Sequence, residues 1–443
     1  MKYSHYIVTI SICAFFSNLS IGQLTLLDAK DYALKHHFDI VNADLEYNKA
    51  IHKKREYLSA GMPEAYISGG FNQFLNLPVQ VIDASFFNPQ SPEGQVIAFR
   101  AGTEFNSSAS LNVNQLLFDG SYFVGLEASK LLIELQSIQK NRSREEVLFG
   151  VIEAYHIASV ATENDLFADS ILQLTLQVEE KQKGFLELGL MTQEEFDQIH
   201  YAVLRTMNNK ENAELQLQNA MALLKYSMNC PLDSTFSLST GIDELSMNAL
   251  SPSLGTVNDN STLKLLENQI KLSACDVKNN KAGFLPSLSA YFQQSYNAYR
   301  TTFDFFSNKP WYSQTSWGIQ MTIPVFSSGK GKSTLKQAQI KFMQDENTLK
   351  TTENGLKLQE IQFKNELKTA QRQKELQEQN IILTEKIYKN AILKQKAGKI
   401  SNTEVTQKLN QLIMTQAEYT ATLINVFKSK IKLDKLYNKL NIK

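Results

Sequence analysis

Little in this sequence breaks or staples a chain. Nine prolines and three cysteines are spread over 443 residues. So few cysteines exclude a disulfide-built scaffold, and so few prolines leave room for long uninterrupted helices. Charge of one sign is missing too, since 45 basic residues balance 45 acidic ones. A basic nucleic-acid surface is thereby excluded. Beyond the N-terminus no apolar run reaches the ~20 residues of a transmembrane helix. If the chain enters a membrane, it does so as β-strands. The six histidines are scattered, and His36-His37 has no second metal-spaced pair nearby. No Ser-His-Asp or paired-carboxylate constellation stands out, so neither a cofactor, a metal nor an enzymatic reaction is expected.

The N-terminus reads as an export leader. Lys2 precedes an apolar stretch from Ile7 to Phe16, and Ser20-Ile21-Gly22 supplies small residues for cleavage near Gly22/Gln23. Cys13 follows the bulky Ile12, so no lipid anchor is expected. Cys230 and Cys275 are read as unpaired.

Beyond the leader the chain is one unit written twice. Ala60-Gly61-Met62-Pro63 is echoed by Ala282-Gly283-Phe284-Leu285-Pro286, and the strand end Phe118-Asp119-Gly120 by Phe326-Ser327-Ser328-Gly329. Leu188-Gly189-Leu190-Met191-Thr192 is echoed by Ala397-Gly398-Lys399-Ile400-Ser401. Phe118 to Phe326 is an offset of 208 and Gly189 to Gly398 one of 209, the mark of an internal duplication. Each copy reads helix, strand, loop, strand, very long helix, tight turn, helix. The long helices cover about Tyr122 to Lys183 and Lys330 to Lys396, and about 60 residues span ~90 Å. Their apolar residues form a narrow seam that suits side-by-side coiled packing. The returning helix Gln193 to Met228 and the next copy's short helix Thr262 to Gly283 sum to the length of one long rod, which suggests end-to-end stacking beside it.

These signals divide the chain into a leader at 1–22, a first repeat at 23–229, a linker at 230–260 and a second repeat at 261–443. The strands fall at about 64–75, 103–118, 286–299 and 312–326, and the turns at about 184–192 and 396–402. Strand 103–118 alternates Leu111 and Val113 with Asn106, Ser108, Ser110, Asn112 and Asn114. Strand 312–326 alternates Trp317, Ile319 and Met321 with Gln320 and Thr322. A soluble sheet with one wet face alternates too, but its wet face usually carries Lys and Glu. Here the polar positions are small and uncharged, so the apolar set is read as lipid-facing and the polar set as lumenal. Four strands cannot close, and an open edge in lipid is costly. Three chains would supply twelve strands, so a homotrimer is expected. Loop 76–102 is long and loop 301–310 shorter, and barrels place longer loops outside.

The duplicated unit, the Ala-Gly lead into each first strand and the tip pattern Gly189, Thr192, Glu195 with Gly398, Ser401, Glu404 together resemble the TolC-like outer membrane efflux proteins. The resemblance covers nearly all of the chain after the leader. It implies a mainly α fold with a trimeric β-barrel in the outer-membrane lipid, continued by a long helical periplasmic tunnel. It also implies docking to a periplasmic adaptor and an inner-membrane pump of RND or ABC type, in efflux or type I secretion. The turns meet the adaptor in that family, which marks Leu188, Gly189, Leu190 and Thr192 with Gly398, Lys399 and Ser401 as the docking tip. The sequence departs from the family at His36-His37-Phe38-Asp39, where Asn-Pro is usual.

Two features carry a second reading. Glu195 and Glu404 are either partners in capping boxes with Thr192 and Ser401 or a carboxylate ring that gates the periplasmic mouth for cations. Gly329-Lys330-Gly331-Lys332-Ser333 looks like a phosphate loop, but Phe326 stands where the full pattern needs glycine. The competing function is a periplasmic adaptor or coiled-coil scaffold. Adaptors have one hairpin between β-rich domains, while this chain has two hairpins and no such domains.

Overall fold

The computed structural model describes residues 22–87 and 89–440. The leader reading at 1–22 therefore lies almost wholly outside the described residues. No helix among them is long and apolar enough to cross a membrane. The chain folds as β1 (Gln23–Leu24), α1 (Leu26–His36), α2 (Phe38–Ser59), β2 (Glu64–Gln73), β3 (Val79–Asp83), β4 (Val96–Arg100) and β5 (Phe105–Phe118). Then come α3 (Gly120–Glu187), α4 (Gln193–Met228), β6 (Ser237–Leu238), α5 (Ile242–Leu250), α6 (Ser261–Ala282), β7 (Ser287–Arg300), β8 (Tyr312–Thr322), α7 (Lys330–Lys396) and α8 (Asn402–Leu436). Three expectations need correcting. Strand β8 stops at Thr322, because Pro324 cannot donate to a ladder. The stretch 76–102 is not a plain loop but holds the antiparallel hairpin β3–β4, with Val79 opposite Arg100. The third concerns helix stacking, below.

Contacts sort the chain into two units, each built from segments of both copies. One holds Tyr47–Gln136 and Leu266–Thr348. Its centre is an antiparallel four-stranded sheet in the order β2-β5-β7-β8, so the two copies join at β5–β7 and leave β2 and β8 as edges. Gly61 lets strand and helix approach at its base, since a Cβ there would overlap the Tyr122 ring. Lys278 reaches Glu127 across α6 and α3 at 2.7 Å.

The other unit holds the residues up to Glu46, Ser137–Leu265 and the chain from Leu349. Segments of α3, α4, α7 and α8 pack here around Val151, Tyr155, Leu224, Leu423 and Phe427, all at most 2 % exposed. Full burial of one such side chain is worth about 1.5–3 kcal/mol. A second cluster, with Ile171, Tyr388 and Leu412, holds α3, α7 and α8 together further along. The first described residues are strapped to the linker. Strand β1 pairs parallel with β6, and the buried Tyr155 hydroxyl donates to the Leu24 carbonyl at 2.9 Å. Helix α1 starts on a Thr25–Asp28 capping box. At the atypical His36-His37, helix α1 ends in an extended His37. His37 Nδ1 then accepts from the Asp39 N–H at 3.2 Å and caps α2.

Stacking of short helices runs within a copy, not across copies. At the end of α4 the Asn229 side chain donates to the His36 carbonyl just before α2, and at the end of α8 that of Asn438 donates to the Asp259 carbonyl just before α6. Because α2 and α6 are both 22 residues long, length alone could not distinguish the two partners.

Candidate functional site: two sheet faces and two helix tips

Directly paired residues of an antiparallel sheet point to the same face. Val113 stands opposite Ala65 on β2 and Phe292 on β7, and Phe292 opposite Trp317 on β8. Leu111 pairs with Ile67, while Ala290 leads to Ile319 and Leu288 to Met321. Leu111, Val113, Trp317, Ile319 and Met321 therefore share one face. Trp317 there is 76 % exposed in the single chain. The opposite face carries Asn106, Ser108, Ser110, Asn112 and Asn114, across from Asn72, Gly70, Ser68, Tyr66 and Glu64 of β2. Gln320 pairs with Ser289 and Thr322 with Ser287, which places them on that polar face as well. Asn112 Nδ2 donates to Ser68 Oγ across it at 3.1 Å.

Sequence reading missed the contribution of β7. Ser289, Gln293, Ser295 and Asn297 extend the polar face, with Tyr291 and Tyr299 among them. The apolar face of β7 is interrupted by Gln294, which blurs its alternation. The pairing explains the exception: Gln294 stands opposite Thr315, whose hydroxyl donates to it, so each satisfies the other. At the end of the sheet beside loop 301–311, Phe71, Phe105, Phe303 and Phe305 form an aromatic cluster, with ring centroids 5.6 Å apart for Phe71 and Phe305. Arg300, only 5 % exposed, holds that loop by donating to the Lys309 and Pro310 carbonyls.

The two helix tips are built alike. Gly189 and Gly398 have φ of +67° and +66°, the left-handed conformation that ends a helix. At the first, Leu190 N–H donates to the Phe185 carbonyl at 2.9 Å and Gly189 N–H to that of Leu186 at 3.0 Å. At the second, Lys399 N–H donates to Lys394 and Gly398 N–H to Gln395, both at 2.9 Å. Nothing lies within 4 Å of a Cβ built on either glycine, so backbone conformation alone asks for glycine. Leu188 and Leu190 are 73 % and 71 % exposed.

Beyond the turns the copies part. Thr192 and Glu195 make a reciprocal box: Glu195 N–H donates to Thr192 Oγ1 at 3.3 Å, and Thr192 N–H to Glu195 Oε2 at 2.9 Å. Ser401 accepts from Glu404 N–H at 3.3 Å, but its box lacks the return bond expected of it, and the Glu404 side chain is exposed. The second capping box is thus corrected to a half cap. In the turn before α7, Gly329 has φ +82°. No metal-ligating cluster is present among the described residues, and Cys230 and Cys275 are free thiols.

Residues 258–439 match the family model described as Outer membrane efflux protein. The second copy is thus similar to the outer membrane efflux protein domain. No curated protein matches the chain. Solved structures do, at 14–16 % identity, and they share its fold. The outer membrane protein VceC of Vibrio cholerae superposes with a TM-score of 0.69 at 14 % identity, over 93 % of this chain and 96 % of that one. The Campylobacter jejuni CmeC outer membrane channel gives 0.68 at 16 %, over 94 % and 85 %. CusC, solved in work on folding and transmembrane channel formation, gives 0.72 at 14 %, over 93 % and 91 %. The efflux domain contains β7, β8, α7 and α8, and hence the polar and apolar faces of two strands and the Gly398 tip. The first copy repeats that architecture, and the family is one of efflux proteins rather than enzymes.

Proposed function

We propose that the chain is the outer-membrane exit duct of a tripartite efflux or type I secretion system, and that it works as a homotrimer. The observation that carries this reading is the sheet. Its register gathers Leu111, Val113, Trp317, Ile319 and Met321 on one face and Asn106, Ser108, Ser110, Asn112, Asn114, Gln320 and Thr322 on the other, while β2 and β8 remain unpaired edges. In lipid an unpaired edge is costly. Three copies joined β8 to β2 give a closed twelve-stranded barrel with the apolar face to lipid and the polar face around water. Cargo passes passively. A periplasmic adaptor docks at the Leu188–Thr192 and Gly398–Ser401 tips and links the duct to an inner-membrane pump of RND or ABC type. Of the two candidate gate carboxylates, Glu404 is the one whose side chain is not engaged in a reciprocal cap, so cation preference at the mouth falls to it.

The test is fractionation followed by conductance. The protein should stay in the outer-membrane pellet after a high-salt wash, purify in detergent as a trimer, and open ion-conducting channels in planar bilayers. Release by salt, as for an adaptor, or a conducting monomer would overturn the reading.

A further inference from the structure

The unit that holds Ser137–Leu265 and the chain from Leu349 contains a cavity between α3, the start of α6, α7 and the end of α8. Its volume is about 390 Å³, within the ~300–1,000 Å³ of small-molecule sites. Glu145 of α3 lines it and is only 5 % exposed. One carboxylate oxygen, Oε2, accepts from the Ser261 hydroxyl at 2.5 Å. The other, Oε1, is buried with no partner, and a buried acceptor without a donor calls for an explanation. Arg142 stands three residues earlier on the same face of α3. It lines the same cavity, and its guanidinium makes no ion pair or hydrogen bond among the described residues. The other cations of the lining are engaged: Lys435 with Glu146 at 2.6 Å and Lys432 with Glu366 at 3.6 Å. One carboxylate oxygen and one guanidinium are therefore left over, unpaired with each other. Phe149, Leu356, Phe363 and Leu436 add an apolar wall beside them.

We propose that this cavity binds an apolar α-amino acid as its zwitterion, with the ammonium on Glu145 and the carboxylate on Arg142. The leftover charges select that ligand class. A metal ion would find a single free carboxylate oxygen beside a guanidinium, too few oxygen ligands and an opposing charge. An inorganic anion would meet the Glu145 carboxylate. An α-amino acid carries both charges on one carbon, which suits two groups that leave one helix face a turn apart. Its ammonium supplies the donor that Oε1 lacks, and its carboxylate matches the flat guanidinium fork through two parallel bonds. Burial pushes the Glu145 carboxyl above its ordinary range, against the pull of the Ser261 bond. A bound ammonium supplies the counter-charge that favours the ionised form. An aliphatic side chain then leaves water for the apolar wall, which adds to binding. The site lies within one copy and is independent of the trimer. Ser261 opens α6, the helix that leads to β7, so the bound molecule steadies the start of that helix through Glu145.

The experiment titrates the full-length, detergent-purified protein with L-leucine by calorimetry in the millimolar range. Two probes each remove one charge: L-leucinamide lacks the carboxylate and N-acetyl-L-leucine lacks the ammonium. L-Leucine is expected to bind and to raise the thermal midpoint, while neither probe does. Arg142→Gln and Glu145→Gln should each weaken L-leucine binding about tenfold or more, the effect of losing one charge-assisted bond. Arg142 is only partly buried and has no partner to lose, so Arg142→Gln should keep the unliganded midpoint. It decides the matter even if Glu145→Gln fails to fold. Absence of heat and of a midpoint shift with L-leucine would overturn the proposal. So would equal binding of all three compounds, or L-leucine binding unchanged in Arg142→Gln.

Discussion

Asn229 and Asn438, 209 residues apart, hold the same backbone conformation at the ends of α4 and α8, with φ of +58° and +56°. Each is followed by the same closing bond, Cys230 N–H to the Lys225 carbonyl and Lys439 N–H to that of Asp434, both at 2.8 Å. Each side chain donates to the carbonyl two residues before the first helix of its strand-bearing segment, His36 at 2.8 Å and Asp259 at 3.3 Å. Asparagine tolerates the left-handed region better than most residues with a Cβ, and here its amide also ties two helix ends together. Asn229→Ala should cost about 1–2 kcal/mol, because it loses both the tolerance and a bond. Asn229→Gly should cost less, losing only the bond. Asn438→Ala should cost less than Asn229→Ala, given its longer contact. Thermal unfolding of the purified variants would rank them, and equal midpoints for all three would refute the account.

His156 makes stability depend on pH. It lies half-buried on α3, stacked on the Phe427 ring at 4.3 Å, and its buried Nδ1 has no partner. The neighbouring charges, Glu153 and Lys428, pair with each other at 3.4 Å. Burial disfavours the charged ring and lowers its pKa from 6.5 to about 4. Above pH 6.5 both folded and unfolded chains are neutral at this site, so it gives no pH dependence. Below that, the unfolded chain takes up a proton that the folded chain refuses. Stability is therefore lost as pH falls from 6.5 toward 4, by roughly 3 kcal/mol in full at about 1.4 kcal/mol per unit. In His156→Leu this part of the decline should vanish in unfolding curves taken across that window.

The sheet faces give a paired test. Arginine on the lipid side of a barrel midplane costs about 2–4 kcal/mol, while the lumenal side tolerates it. Val113→Arg should therefore lower the yield of assembled trimer, and Asn112→Arg should assemble and change conductance. If Val113→Arg assembled normally and Asn112→Arg did not, the two faces would be reversed.

Unequal capping at the tips separates the two glutamates. Glu195→Gln weakens a reciprocal box and should lower thermal stability by an amount of order 1 kcal/mol. Glu404→Gln breaks no side-chain bond in the cap and should leave stability unchanged while reducing cation preference in planar bilayers. An equal loss of stability in both, with selectivity unaltered, would leave only the capping role.

The tip glycines are under a backbone constraint alone. Gly189→Gln or Gly398→Gln should cost about 1–2 kcal/mol, as for any side chain forced into the left-handed region, and the trimer should still reach the outer membrane. Efflux should nevertheless fail if the adaptor docks at the tips as proposed, since the added side chain projects into the open space there. Susceptibility to a pump substrate, measured beside the trimer level, checks this. Retained efflux would mean that docking lies elsewhere.

Much of this architecture was legible from residue order alone, because its causes are local. Scarce proline allows the long rods. Gly189 and Gly398 mark the turns, since few other residues take positive φ cheaply, and the alternation of Leu111-Asn112-Val113-Asn114 marks a two-faced strand. Tertiary structure decided what depends on distant partners. Only pairing showed that β5 lies beside β7 and that Gln294 is answered by Thr315. Only packing showed that α4 stacks on α2 of its own copy, since α6 has the same length. It also separated Glu195 from Glu404, whose sequence surroundings look alike. Arg142 and Glu145 are spelled out in the sequence three residues apart, yet which charges of a helix find partners depends on the faces its neighbours bring against it.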